Sequence, residues 1–441
     1  MPLAGLSIGK RSALLLDKEN MTKYSISPMS SLYELYLRHP RISTDSRRIE
    51  PDSVFFALRG ASFDGNRFAA DALEKGAAYA VVDDPSLPNT RPDKADRLIV
   101  VDDALQTLQT LAREHRRELG LPILAITGSN GKTTTKELVS RVLAEKYEVY
   151  ATRGNLNNHI GVPLTLLAMT RDVEFGIVEM GASACGEIAL LCSIAEPNYG
   201  IVTNIGRAHL EGFGGPEGVR RGKGELYDWL VFVPANDPVL MSMAAERETL
   251  AAECYPTTLA DGMEHHLEGD YNRFNVAAAV AVGRYFGVDD ERIRYAVGSY
   301  RPDNHRSQKI RTGQNTLILD CYNANPSSMQ ASLVNFRQEP LEGCTRKILI
   351  LGDMLELGDW SDAEHRHIIS LAAEIPDARI LLVGPHFAKA YRSLESRPAD
   401  TTLYPSQEVL AAELRKHPVS QALILVKGSH SIGLERLADL L

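Results

Sequence analysis

The chain has 441 residues, which at about 150 residues per domain points to roughly three domains. Its 48 Lys and Arg against 57 Asp and Glu leave a net charge of -9, a balance that excludes a basic surface built to hold a nucleic-acid backbone. With 44% hydrophobic residues, 24% charged residues, 33 Gly and 22 Pro, collagen-like, low-complexity and linker-dominated classes are excluded, and a soluble globular protein is expected.

The first 28 residues include Lys10, Arg11 and the short run Ala13–Leu16, followed by Asp17, Lys18 and Glu19. That run is too short for the core of a secretion signal, so 1–28 is expected to be a flexible N-terminal extension, with Met21 and Met29 as alternative starts. The apolar runs of the chain are strand-length, which predicts no membrane span. The cysteines at 185, 192, 254, 321 and 344 are odd in number and show no C-x-x-C spacing. They argue against a disulfide framework and for a reducing, cytoplasmic compartment.

Beyond this segment, short apolar runs alternate with helix-length stretches. The runs are Val54–Leu58, Ala80–Val82, Leu98–Val101, Ile123–Thr127, Gly176–Met180, Gly200–Asn204, Leu230–Val233, Thr316–Asp320, Lys347–Leu351, Ile380–Val383 and Ala422–Val426. Continuous rather than alternating hydrophobicity marks strands buried on both faces, and their spacing predicts βαβ units with parallel sheets. Joints are expected at Leu119-Gly120-Leu121-Pro122 and at Tyr300–Asn304. They divide the chain into 29–120, 121–301 and 302–441, each of ordinary domain size.

The most informative segment is Gly128-Ser129-Asn130-Gly131-Lys132-Thr133-Thr134-Thr135, between the run Ile123–Thr127 and a predicted helix Lys136–Lys146. A glycine-rich turn between strand and helix aims backbone N–H groups and the positive helix end at an anion. In this pattern Lys132 reaches the outer phosphates of a nucleotide and Thr133 places its hydroxyl on Mg²⁺; the alternative is a tight turn with a solvated lysine. The general phosphate-loop pattern asks for Gly at 126, where this chain has Ile126. Downstream, Glu179 closes one predicted strand and His209 follows another in Thr203-Asn204-Ile205-Gly206-Arg207-Ala208-His209-Leu210. Both stand at the carboxyl ends of parallel strands, where α/β sheets bind ligands, although an isolated acid or histidine is often only structural.

The variant T-G-x-x-G-K-T-T-T resembles the ATP loop of the Mur ligases, and with it most of the chain after about Ser30 resembles that family. The resemblance implies three α/β domains: an N-terminal uridine-nucleotide module, a central P-loop ATPase-like parallel sheet and a C-terminal Rossmann-like domain. Within the family it points to the member that uses ATP to join D-alanyl-D-alanine to UDP-N-acetylmuramoyl-tripeptide, acting as a monomer. Four stretches carry it: Gly154–Pro163, Asp320–Met329, Leu351–Gly358 and Val426–Ser429. The relatives that add diaminopimelate or lysine fit less well, because their Asp-Asn-Pro-type motif is not found in the C-terminal part, and those that extend folates fit less well, because they lack the element Tyr322-Asn323-Ala324-Asn325-Pro326 and this N-terminal domain. A ligase with another donor and a non-catalytic nucleotide-binding relic are the remaining readings.

The same resemblance implies individual roles. Gly128, Ser129, Asn130, Gly131, Lys132, Thr133 and Thr134 would hold ATP, with Asn275 on the adenine, Arg306 over the outer phosphates and Asp320 on the ribose. Thr133, Glu179, His209 and Lys223 would hold two Mg²⁺, Lys223 as a carbamate, since an ammonium is no metal ligand; the alternative is an ordinary lysine near phosphate. Lys132, His209, Lys223 and Arg306 form the expected catalytic set, with His209 and the Lys223 carbamate both open as acceptor of the amine's proton. Ser46 and Arg47 in Ser43–Arg48, with Asp64 and Gly65 in Gly60–Phe68, would bind the uridine nucleotide. Asn155, Asn157 and Asn158 would face the acceptor, and Tyr322, Asn323, Asn325 and Lys427 the donor. The segment between Asn236-Asp237-Pro238 and Tyr271 is shorter than the family's, and His265-His266 within it is expected to be an exposed loop rather than a metal site. Whether the acceptor's third residue is diaminopimelate or lysine is left open.

Overall fold

The computed structural model describes residues 28–228, 230–247, 251–267, 269–301 and 308–441. Three sheets follow one another along the chain. The first contains β1 (Ile42–Ser43), β2 (Val54–Phe56), β3 (Tyr79–Val82) and β4 (Leu98–Val100), all parallel and in sequence order. The second contains β5 (Ile123–Thr127), β6 (Val149–Ala151), β7 (Phe175–Glu179), β8 (Tyr199–Val202), β9 (Leu230–Pro234) and β10 (Ala252–Tyr255) in the order β10-β9-β8-β5-β7-β6. Its pairings are parallel throughout. The third contains β11 (Gln308–Arg311), β12 (Thr316–Asp320), β13 (Arg346–Gly352), β14 (Ala378–Val383), β15 (Thr401–Tyr404) and β16 (Ala422–Lys427) in the order β11-β12-β16-β13-β14-β15. Only β11 runs antiparallel.

The continuous apolar strands are buried for the expected reason. Every residue of β5 and β7 is buried, and helices cover both faces, as parallel sheets require. One apolar cluster runs from Leu32 and Leu35 through Leu108 and Leu111 to Val178 and Met180, and on to Met354 and Leu357, so the three sheets share a core. Burying one such Leu or Val contributes about 1.5–3 kcal/mol.

The eleven predicted strands are all present, within two residues at their ends. Five more, β1, β6, β10, β11 and β15, lie where none was expected. The sequence joint at Leu119–Pro122 coincides with a helix end, where Gly120 closes Ala104–Leu119 at φ +63°. The second joint runs into residues outside the description. In the short segment after Asp237 the chain forms the helix Pro238–Ala245, capped by Asp237, and the parallel strand β10.

Candidate active site

The second sheet reverses its winding between β5 and β8, and ligands bind α/β sheets outside the carboxyl ends of strands at such a point. The phosphate loop emerges there from β5. The helix after it begins at Lys132, not at Lys136 as the sequence suggested, and runs to Ala144. Gly131, at φ +80°, makes the turn that lets Lys132 to Thr135 join the first helical turn. The loop proper is therefore Gly128–Gly131, and the positive helix end begins at the residue expected to meet phosphate. Gly128 stands at φ +139°, and a Cβ there would lie 2.0 Å from the Thr203 hydroxyl, so no side chain fits.

The segment after β8 braces the loop. Asn130 N–H donates to Asn204 Oδ1 at 3.0 Å, Ser129 Oγ donates to the Gly206 carbonyl at 3.1 Å, and Lys132 Nζ folds back on the Gly128 carbonyl at 2.7 Å. Thr133 Oγ1 donates to Glu179 Oε2 at 3.0 Å, and Asn157 Nδ2 donates to Glu179 Oε1 at 2.9 Å. The buried Lys136 ammonium lies 3.9 Å from the same carboxylate. Thr133 and Glu179 thus pair a hydroxyl with a carboxylate. That is a hard-oxygen set of the kind Mg²⁺ accepts, since this ion takes one or two carboxylates and keeps waters and substrate phosphates for its other positions. No group of three or more His, Cys, Asp or Glu that could hold a metal occurs among the described residues; His265 is half-buried and His266 exposed.

Lys223 is the last residue but one of the helix Pro216–Gly224 and is 1% exposed. Its Nζ donates to the Ala182 carbonyl at 2.9 Å and lies 5.0 Å from the centroid of the Phe213 ring. Burial, with the Lys132 charge adding to it, holds this amine well below the ordinary lysine range. A neutral amine is the form that reacts with CO₂. His209, in the left-handed region at φ +51°, has its Nδ1 on the carboxylate of Glu356 from the loop after β13, which leaves Nε2 for other work. Burial lowers its pKa against the opposing pull of Glu356. Glu356 was not anticipated from sequence, although it lies in the Leu351–Gly358 stretch that carries the family resemblance.

The third sheet supplies the facing wall. Parallel register sets Asp320 beside Lys427, at the carboxyl ends of β12 and β16. The buried Lys427 ammonium bonds Asp320 Oδ2, and the Ser332 hydroxyl donates to the same oxygen at 2.9 Å. Tyr322, 38% exposed, stacks on His430. Asn325 caps the helix Pro326–Gln338 through Ser328 N–H, and its Nδ2 donates to Asn130 Oδ1 at 2.8 Å, tying this sheet to the phosphate loop. Arg207 adds a second tie, 2.8 Å from the buried Glu364.

Between these walls lies a cavity of about 830 Å³. Of the residues expected from sequence, Ser129 to Thr134, Asn157, Asn158, Glu179, His209, Asn275, Asp320, Tyr322, Asn323 and Lys427 line it. Asn275 is the fourth residue of the helix Asn272–Tyr285 and not its cap; its Oδ1 accepts from Thr135 Oγ1 at 3.0 Å. Gly128, Asn155, Lys223 and Asn325 are not among the lining residues, while Asp237, Tyr271 and Phe274 line it without having been singled out. Asn155 is exposed on its loop, and Arg306 lies outside the described residues.

Ser46, Arg47, Asp64 and Gly65 lie in segments that connect the strands of the first sheet and do not line this cavity. Arg47 forms a two-bond pair with Asp45, whose carboxyl it holds down to about 2. The Ser46 carbonyl accepts from Lys75 Nζ at 2.7 Å. Asp64 accepts from Asn66 N–H at 3.0 Å, and Gly65 N–H donates to the Leu58 carbonyl at 2.9 Å.

Comparison with known proteins agrees with this anatomy. The Mur ligase middle domain matches residues 126–255, the glutamate ligase domain of Mur ligases matches 305–430, and the Mur ligase family catalytic domain matches 40–116. The UDP-N-acetylmuramoyl-tripeptide--D-alanyl-D-alanine ligase of Bacillus subtilis is 34% identical, over 90% of this chain and 92% of its own length. The protein of that name from Escherichia coli is 31% identical, over 90% and 92%. A crystal structure of MurF from Acinetobacter baumannii superposes with a TM-score of 0.79 at 30% identity, covering 91% of this chain and 93% of that one. MurF from Thermotoga maritima in complex with ADP superposes at 0.76 and 25% identity, covering 92% and 97%. With the phosphate loop, the Glu179 pair and the Asp320–Lys427 wall in one cavity, and relatives matched along nearly their whole length, the chain belongs to the Mur ligase family.

Proposed function

We propose that this chain is the ATP-dependent ligase that joins D-alanyl-D-alanine to UDP-N-acetylmuramoyl-tripeptide, in the cytoplasmic stage of peptidoglycan synthesis. The observation that carries the reading is the cavity in which phosphate-loop residues on one wall face Asp320, Tyr322 and Asn323 on the other. The likeness to D-alanyl-D-alanine ligases supports the choice of donor. No helix among the described residues is long and apolar enough to cross a membrane, in keeping with soluble substrates. We assign 29–120 to the uridine nucleotide, 121–301 to ATP and 302–441 to the donor, and the three family matches fall within these bounds.

An amide forms in water only from an activated acyl group. The tripeptide carboxylate attacks the γ-phosphorus of ATP, the bond to the β,γ-bridging oxygen breaks, and acyl phosphate and ADP result. Such transfer depends on positioning and charge neutralisation. Lys132 and the N–H groups of the loop and first helical turn supply both, with Arg306 assigned to the same phosphates by family likeness. Thr133 and Glu179 would hold one Mg²⁺, and His209 with carbamylated Lys223 a second; the ions would screen the phosphate oxygens. The D-alanyl-D-alanine amine then attacks the acyl carbon, its proton passes to a base, and phosphate leaves. His209 Nε2, with Nδ1 held by Glu356, can take that proton only where it is not on the ion; the Lys223 carbamate is the other candidate base. The test is phosphate release by the purified chain with ATP, the tripeptide nucleotide and a panel of donors. Release that requires D-alanyl-D-alanine supports the proposal; release with another donor only, or none, rejects it.

A further inference from the structure

The stretch Gly222-Lys223-Gly224-Glu225-Leu226 carries two long polar side chains two residues apart, and both reach one loop. Lys223 Nζ donates to the Ala182 carbonyl at 2.9 Å. Glu225 accepts from Gly186 N–H at 2.6 Å and from Ala189 N–H at 2.9 Å, one bond to each carboxylate oxygen. The helix Glu187–Ala195 starts after Gly186, which has no side chain to cap it, and Glu225 takes that place from another element. Glu187 turns back on the same loop and accepts from Ser183 N–H at 2.6 Å. The loop continues directly from β7, whose last residue is Glu179. The segment bearing Glu179 and the segment bearing Lys223 are thus held together at two points, Ala182 and Gly186.

We propose that Glu225 is a positioning residue for Lys223. By fixing the loop 182–189, it sets the Ala182 carbonyl that holds the lysine nitrogen, and so governs how readily that amine takes up CO₂. The inference rests on the carbamate reading of Lys223. In the uptake step the amine lone pair forms the N–C bond, one C=O electron pair moves to oxygen, and one proton leaves to solvent. The product R–NH–COO⁻ keeps a single N–H, and the Ala182 carbonyl is already placed to accept it. A neutral amine that must find its own orientation gains no such bond. Losing one charge-assisted bond costs about 1.5 kcal/mol, or roughly tenfold in an equilibrium constant.

The test is ¹³C NMR of the full chain equilibrated with ¹³C-bicarbonate, reading the lysine carbamate carbon. Lys223→Ala serves as the blank that assigns the signal. In Glu225→Gln, whose amide can accept only one of the two N–H bonds, the melt is expected to fall with the lost cap bond and the bicarbonate needed for half occupancy to rise, by at most about tenfold; the charge removed lies near Lys223 and by itself would ease uptake, so a rise reports position and not charge. Glu225→Asp, which keeps both oxygens on a shorter arm, is expected to fall between the two and serves if the Gln variant does not fold. Equal half occupancy in wild type and in the folded variant overturns the proposal, whatever the melt does, and leaves Glu225 as a helix cap alone. No assignable signal in wild type overturns the carbamate reading itself, and the proposal with it.

Discussion

Glu179→Gln isolates the role given to the β7 carboxylate, because the substitution keeps the shape and removes the charge. In the wild-type site Glu179 accepts from Thr133 and Asn157 and stands 3.9 Å from the Lys136 ammonium. The glutamine oxygen can keep one of those bonds, and the Thr133 hydroxyl or the Asn157 amide can turn to meet the new NH₂. Coulomb attraction at this separation is about 4 kcal/mol at an effective dielectric of 20, but it is largely offset by the cost of burying both charges. Lys136 keeps its bond to the Thr152 carbonyl at 2.8 Å. A loss of about 1–2 kcal/mol in folding stability is therefore expected, seen as a lower urea midpoint with unchanged slope. Turnover should fall much further. Removing a preorganised charge from a site of phosphoryl transfer costs about 3–4 kcal/mol of barrier, or 10²–10³ in kcat. The assay is phosphate release across a Mg²⁺ titration with all three substrates saturating. A folded variant that turns over within about threefold of wild type at every Mg²⁺ concentration would refute the metal-holding role.

Three further outcomes are expected from the geometry. Lys427→Met leaves Asp320 with Ser332 as its side-chain partner among the described residues, and because Asp320 is partly exposed a loss nearer 3 than 5 kcal/mol is expected; Lys427→Met with Asp320→Leu should recover part of it in urea unfolding without restoring activity. His115, bound to Tyr33, Tyr36 and the Met169 carbonyl, has its pKa lowered by burial. The unfolded chain therefore takes up a proton first, and the stability His115 contributes is complete above the unfolded value of about 6.5 and lost as pH falls below it. Urea midpoints at pH 7.5 and 5.5 should show that decline, and His115→Asn should flatten it. Finally, burial pushes the Cys321 thiol up to about 12, so at pH 8 a thiol reagent should label exposed Cys185 and Cys254 and leave Cys321 and buried Cys192 unmodified until denaturant is added.

Much of this architecture was legible because it is locally encoded. Uninterrupted apolar runs marked the central strands of each sheet, and the chemistry at their ends, Thr127-Gly128, Glu179 and Asp320, could be placed as soon as the strands were. The strands left out lack that signal. β1 has two residues; β10 is mostly exposed; β11 and β15 are edge strands that read Gln-Lys-Ile-Arg and Thr-Thr-Leu-Tyr. The helix after the phosphate loop was started late because three consecutive threonines are weak helix formers, while the turn at Gly131 and packing override that preference.

Within the site, the groups that line the cavity were easier to read than the groups that hold them. Asn325 looked like a donor contact, yet in the fold its side chain caps a helix and grips Asn130, 195 positions away. Glu356 reaches His209 across 147 positions. Glu225 stands two residues from Lys223 and reveals its partners only when the loop after β7 comes back to it. Such pairings depend on how sheets dock, which no local pattern records.

The central claim is the identity of the donor, and the most direct measurement of it is donor-dependent phosphate release. Purified chain, ATP, Mg²⁺ and UDP-N-acetylmuramoyl-tripeptide should release phosphate when D-alanyl-D-alanine is added, with one ADP and one amide product formed per phosphate. Turnover that ignores D-alanyl-D-alanine but responds to a single amino acid would contradict the account.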